Sequence, residues 1–220
     1  MENDSTLTGY KLVKGWGPER HVYFTAVFSK KLKNLRIMQD KKPVIYNTSR
    51  FRSCYEAWGK NLMACISFAA EEGEEVIVKT SVSAVSTAGA TLNLQELNGM
   101  TFDALREKGV GLWEKELSKY QIEAKPEVKE AFYTAAYRAA LHPFVFQDAD
   151  GQFRGLDKNI EKAGGFTNYT VFSLWDTYRA LHPWFNLVHQ DVNADIANSM
   201  LAHYDKSVEK MCADMVFLWQ

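Results

Sequence analysis

Charge imbalance is the first thing this sequence lacks. Its 26 Lys and Arg residues stand against 27 Asp and Glu over 220 residues, a formal net charge of −1. Without an excess of one sign there is no electrostatic case for nucleic acid or an anionic membrane surface as a partner. No apolar run approaches the roughly 20 residues of a membrane-spanning helix. The opening MENDSTLTGYK holds neither a basic nor an apolar region, so no signal peptide is expected within it. Cysteine is scarce. Cys54, Cys65 and Cys212 are an odd number without metal-ligand spacing, and read as buried thiols rather than a disulfide framework or zinc site. Internal repeats, low-complexity tracts and a Gly-rich phosphate loop are also missing. No Ser-His-Asp or Cys-His spacing marks a nucleophile.

What is present is an ordinary globular composition, 46% hydrophobic and 24% charged, enough for one large domain or two small ones. Aromatics reach 13%, with six Trp and ten Tyr, which suits a sugar-binding surface or a large aromatic core. The chain changes character midway. From Gly9 to about Ser86 it is strand-like. His21–Ser29 (HVYFTAVFS) alternates Val22, Phe24, Ala26 and Phe28 with other residues, and KPVIYNT, NLMACISFA and EEVIVKTSVSAV repeat the theme. Glu71-Glu72-Gly73-Glu74 reads as a hairpin turn. The Lys-rich KKLKNLRIMQDKK reads as a solvated edge strand or loop. Together these are antiparallel strands amounting to half a β-sandwich or more.

From Thr87 the spacing becomes helical. Two short helices are expected before Tyr120, with Thr101 as an N-cap. Glu127–Leu141 is a strong helix between Pro126 and His142-Pro143, and Asp191–Tyr204 is another. His142 and His182 each precede proline in an LHP segment, read as helix stops. Asp148-Ala149-Asp150-Gly151 is a turn. It opens like a calcium loop, but the distal Glu is missing.

The stretch around which the chain is organised is GGFTNYTVFSLWDTYRALHPW, from Gly164 to Trp184. It reads as a turn, a short extended entry and a helix carrying Trp175, Asp176, Arg179 and His182. Asp176 and Arg179, three apart, would share a helix face. An indole beside a carboxylate suits a sugar, whose ring stacks on the aromatic while the carboxylate takes its hydroxyls. The same pattern also describes a buried amphipathic helix with a structural ion pair. Asp148, Asp150, Asp157 and Asp176 are candidates for the two carboxylates of a glycosidase, and spacing alone does not choose a pair.

FYTAAYRAALHPFVFQDADGQFRGLD, followed by FTNYTVFSLWDTYRALHPW, resembles glycoside hydrolase family 92, the calcium-dependent exo-acting α-mannosidases. TGYKLVKGWG with VYFTAVFSK resembles a late part of that family's N-terminal β-sandwich. EEVIVKTSVSAVSTAGATLNL resembles its last strands, and NSMLAHYDKS an early helix of its (α/α)6 toroid. The resemblance implies a partial antiparallel β-sandwich (residues 1–98), linker helices (99–123) and the first helices of the toroid (124–220). It implies removal of terminal α-linked mannose from mannan or N-glycan chains by an inverting mechanism with a general-acid Glu and a carboxylate base. A Ca2+ ion would grip the terminal mannose. Trp175 and Asp176 match residues lining the mannose pocket, and Arg154 and Asn168 match motifs near its mouth. The partners implied are mannose-containing glycans, and the compartment implied for the full-length protein is periplasmic or extracellular.

The same resemblance places the general acid, the base and most calcium ligands beyond YDKS, in a segment reading P-x-W-S-F-x-G-N-E. This chain instead ends KMCADMVFLWQ. Read one base later, codons for Met215-Val216 and Trp219-Gln220 give Trp and Gly at the family spacing. A frameshift before the catalytic Glu is therefore expected, and the chain alone is expected to be inactive. Two other readings stand beside the mannosidase fragment. One is a non-catalytic mannose-binding or scaffold protein. The other is a helical-toroid enzyme using two of the four aspartates.

Overall fold

The computed structural model describes residues 3–15, 19–44 and 57–207. Antiparallel sheets fill the N-terminal part and helices follow, as the pattern anticipates. One sheet has the order β1 (Thr6–Val13), β2 (Arg20–Phe28), β6 (Val78–Ser83). A second has the order β4 (Lys42–Pro43), β3 (Leu32–Gln39), β5 (Leu62–Phe68). Most of KPVIYNT, together with Cys54 and Cys212, lies outside the described residues. Cys65 is a free, half-buried thiol.

β2 is the central strand, paired along its length with β1 and with β6. Its alternation predicts one buried face, yet Thr25 on the opposite face is fully buried. The cover is α1 (Thr87–Asn93), which lies on the sheet. The Thr25 hydroxyl meets that of Thr91 at 2.9 Å, and Thr91 in turn donates to the Thr87 carbonyl at 3.0 Å. A hydroxyl can be buried once its hydrogen bonds are met, so polarity concealed this face.

Two strand expectations need correction. Glu71–Glu74 does form a tight turn, with the Glu74 N–H donating to the Glu71 carbonyl at 3.1 Å. The strands it joins, β5 and β6, belong to different sheets, so it is not a hairpin. The Lys-rich segment is β3, which lies second in its sheet rather than at the edge. Its outer partner β4 covers only Met38 and Gln39, leaving Lys33 and Arg36 in solvent.

In the C-terminal half α2 (Phe102–Leu117) is capped by Thr101, whose hydroxyl accepts the Ala104 N–H at 3.2 Å. α3 (Pro126–Ala139) begins at its proline, whose missing N–H has no intrahelical partner to lose. Two short ribbons follow, β7 (Phe144–Val145) with β10 (Tyr169–Thr170) and β8 (Gln152–Arg154) with β9 (Ile160–Lys162). The single helix expected over Trp175–His182 is two: α4 (Leu174–Thr177) and α5 (Leu181–Val188). The second LHP segment thus opens a helix rather than closing one. Pro183 falls in the first turn of α5, where its lack of an N–H is harmless. α6 (Gln190–Asp205) is the last described element. Phe172, Phe185 and Ile196 form a buried cluster beneath α5 and α6, flanked by Leu174, Leu181 and Trp184.

Candidate functional site

The best-organised polar centre lies where the strand-rich half meets the turn at residues 148–158. Asp148 is buried. One carboxylate oxygen accepts the Ser83 hydroxyl at 2.7 Å, and the other accepts the Asn93 amide at 2.8 Å. The Ser83 oxygen also accepts the backbone N–H groups of Val85 and Ser86 at 2.9 and 3.2 Å. Asn93 Oδ1 accepts the Ala149 N–H at 2.7 Å. β6, α1 and the 148–151 turn are therefore tied through one carboxylate. A side chain at position 89 has no room: a Cβ there would lie 2.1 Å from Asp148 Oδ2 and 2.8 Å from Ser83 Oγ.

Arg154 reinforces the same seam. Its Nε and Nη2 donate to the carbonyls of Ala84 and Val85 at 2.8 and 2.9 Å, and Nη1 donates to the Lys158 carbonyl at 2.8 Å. Three donors of a planar fork on three carbonyls make Arg154 a clasp. Beside it is a cavity of about 320 Å3, walled by β2 and β6 on one side and by Phe146–Lys158, Thr170 and Val171 on the other.

Val171 leads from that wall toward the aromatic and acidic pair. Its φ of +66° is a left-handed conformation that a β-branched residue rarely adopts. Backbone strain of this kind persists where surrounding structure imposes it, and it clusters at functional sites. Phe172 is pinned in the core, and α4 follows with Trp175 78% exposed. Asp176 accepts the Ser173 hydroxyl, while Arg179 turns to the Tyr178 hydroxyl at 2.7 Å. The expected Asp176–Arg179 pair on one helix face is not formed, because the helix breaks between them. Trp175 and Asp176 are left presented together at the surface.

Asn168 is fully buried. Its amide donates to the Phe146 carbonyl at 2.8 Å, and its backbone N–H donates to Gln147 Oε1 at 2.8 Å. It fixes β10 against the cavity wall. Asp150 takes the N–H and side-chain amide of Gln152 at 3.0 and 2.6 Å, and these bonds hold its carboxyl below the usual range. Asp157 accepts the N–H and side-chain amide of Asn159 at 3.0 and 2.9 Å. Three of the four candidate aspartates are thus engaged in turns and the seam. Among the described residues no three His, Cys, Asp or Glu side chains cluster to hold a metal ion.

A second polar cluster ties α2 to the α5–α6 joint. His189 is buried, with Nε2 2.7 Å from the Tyr120 hydroxyl and 3.2 Å from Glu116, and Nδ1 3.2 Å from Lys119 Nζ. An ammonium only donates, so Nδ1 is an acceptor and the ring is the neutral Nε2–H tautomer. Burial pushes the imidazole pKa down. Sequence reading missed this cluster and the Ser83–Asp148–Asn93 centre alike, since neither has a spacing signature. The one local clue was a Gly inside a Ser-capped helix, at Gly89.

Two family models match the chain: the glycosyl hydrolase family 92 N-terminal domain over residues 1–83 and the family's catalytic domain over residues 89–216. This chain belongs to glycosyl hydrolase family 92. A family 92 α-mannosidase from Bacteroides thetaiotaomicron is 76% identical over the whole chain, with a TM-score of 0.93. Its complex with mannoimidazole superposes equally well. The chain spans 30% of that enzyme's length. A family 92 inverting mannosidase from Bacteroides thetaiotaomicron VPI-5482, 21% identical, shares the fold at a TM-score of 0.76 over 93% of this chain and 28% of its own. No curated protein matches the chain significantly. The Ser83–Asp148 bond joins the last residue of one family domain to the interior of the other, so the seam described above is the domain boundary.

Proposed function

We propose that this chain is the sandwich-to-toroid portion of an exo-acting α-mannosidase that removes terminal α-linked mannose from mannan or N-glycan chains. The observation that carries the reading is the 76% identity, without a gap in coverage, to a family 92 α-mannosidase. That identity to an enzyme also weighs against a non-catalytic scaffold. The domain division at 98 and 123, the inverting mechanism, export from the cytoplasm and the calcium requirement are parts of the same proposal, suggested by the resemblance to the family. The donor set among the described residues does not make a calcium site, so no step is routed through the metal. Its ligands, the general acid and the base are assigned to the part of the enzyme that this chain does not span.

What this chain contributes is a platform. The Trp175 indole offers an apolar face to a sugar ring, and the Asp176 carboxylate accepts sugar hydroxyls. The strained Val171 and buried Phe172 hold the platform at a fixed angle to the domain seam. Asp148 supports it from behind, and Arg154 and Asn168, which match motifs near the pocket mouth, are placed beside the substrate by the same resemblance. The test is an assay of the full-length protein on an α-mannoside, comparing wild type with Trp175→Ala and Asp176→Asn. Loss of mannose release with an unchanged thermal midpoint supports the reading. Full activity in both variants refutes the assignment of the platform.

A further inference from the structure

We infer that the cavity at the domain seam is a binding site for an oxyanion of the sulfate or phosphate type, free or carried on a sugar. Nothing in the mannosidase reading requires it, and the two can fail separately.

The argument is one of charge in a confined space. Arg20 and Glu19 reach the cavity from the start of β2, and Arg154 and Lys158 from the 152–158 ribbon. Three cations therefore line a single cavity of about 320 Å3, at the lower end of the volumes that hold small ligands. The carboxylates do not balance them. Glu19 already serves His21 at 3.4 Å and Lys14 at 3.9 Å. Asp148 also lines the cavity, with one oxygen on the Ser83 hydroxyl of β6 and the other on the Asn93 amide of α1, so two carboxylates stand against the three cations and leave the lining one positive charge in excess. The Arg154 guanidinium meets only neutral carbonyls, which leave its charge uncompensated. Neither Lys158 Nζ nor the Arg20 guanidinium has a hydrogen-bond acceptor among the described residues.

The cations also feel one another. Desolvation lowers the Lys158 pKa, and Arg154 and Arg20 lower it further, while Glu19 opposes them. Lys158 is held at a φ of +69°, a left-handed conformation, by the turn in which its N–H donates to the Gly155 carbonyl at 3.0 Å. Repelling like charges around a partly desolvated cavity are stabilised by a multivalent anion, which relieves the repulsion and accepts charge-assisted hydrogen bonds. Because Arg20 belongs to one family domain and Lys158 to the other, such an anion would bridge them.

The experiment is calorimetric titration of the full-length protein with sodium sulfate and sodium phosphate in a chloride buffer of matched ionic strength. A neutral hexose and a hexose 6-sulfate are run in parallel. Saturable sulfate or phosphate binding is expected, about ten-fold or more weaker in Lys158→Asn and in Arg20→Gln. Asn tolerates the left-handed backbone at 158, and both side chains are exposed, so neither variant threatens the fold. Glu19→Gln removes the opposing carboxylate and is expected to tighten binding, a gain that misfolding cannot imitate. Tighter binding of the hexose sulfate than of free sulfate identifies a sugar-borne anion, and equal binding identifies a free one. Heats no larger than those of chloride, or variants that bind like wild type, overturn the inference.

Discussion

Replacing Gly89 with alanine adds one methyl group to a helix, where alanine is ordinarily the better residue by about 1 kcal/mol. Here the sign should reverse. The new Cβ would stand 2.1 Å from Asp148 Oδ2 and 2.8 Å from Ser83 Oγ, so the carboxylate must leave its place. It cannot swing freely, because Asn93 holds its other oxygen at 2.8 Å. Losing one hydrogen bond to a buried charged group costs about 1.5–3 kcal/mol, and overpacking adds about 1–3 kcal/mol. Set against the propensity gain, the net loss is about 1.5–5 kcal/mol. Gly109 is the matched control. It also lies inside a helix, α2, and a Cβ there meets nothing within 4 Å. Gly109→Ala should gain up to about 1 kcal/mol. Urea unfolding of both variants beside wild type reads the difference directly. Equal midpoints for Gly89→Ala and Gly109→Ala would refute the claim that the Asp148 centre is packed against α1.

Other outcomes follow from the same geometry. Arg154→Lys keeps the charge but not the fork, so about two of three carbonyl bonds are lost; a fall of about 2–4 kcal/mol in unfolding free energy is expected. His189 and His203 are both buried with folded-state pKa values below the ordinary 6.5, desolvation being the main cause. The unfolded chain then binds more protons below that value. Stability should be full above about pH 6.5 and fall as the pH drops through the folded values, and His189→Gln should flatten part of that slope in urea midpoints taken from pH 7.5 to 5. Trp175→Ala, at a site 78% exposed, should shift stability by no more than about 0.5 kcal/mol, measured by thermal unfolding. Phe102, Leu112 and Leu187 are each more than half exposed, so the isolated chain should associate as concentration rises, and Leu112→Glu should reduce that association in sedimentation.

The parts of the fold legible in the sequence were those with a strong local signal. Pro126 and Thr101 announced helix starts through backbone chemistry, and the alternation over β2 announced a strand. Strand partnership was not legible, because it depends on which sheet each strand joins; Glu71–Glu74 looks the same whether or not its flanking strands pair. The break between α4 and α5 was hidden because Pro183 can end a helix or sit in the first turn of the next, and only packing against Phe172 and Ile196 decides. At the site, the motif around Trp175 and Asp176 carried the family, while Ser83, Asn93 and Asp148 are distant in sequence and meet only through the fold. Arg154 lines the seam cavity with its guanidinium occupied by three carbonyls, a role that its local sequence does not announce.

The central proposal is that this member of family 92 is part of an α-mannosidase. The most direct test is to assay the full-length protein on an α-mannoside with calcium and with a chelator, beside the 220-residue chain alone. The account predicts mannose released by the full-length protein in calcium and lost in chelator, with no activity from the 220-residue chain alone. Hydrolysis by the short chain, or a long form that releases no mannose in calcium, would contradict it.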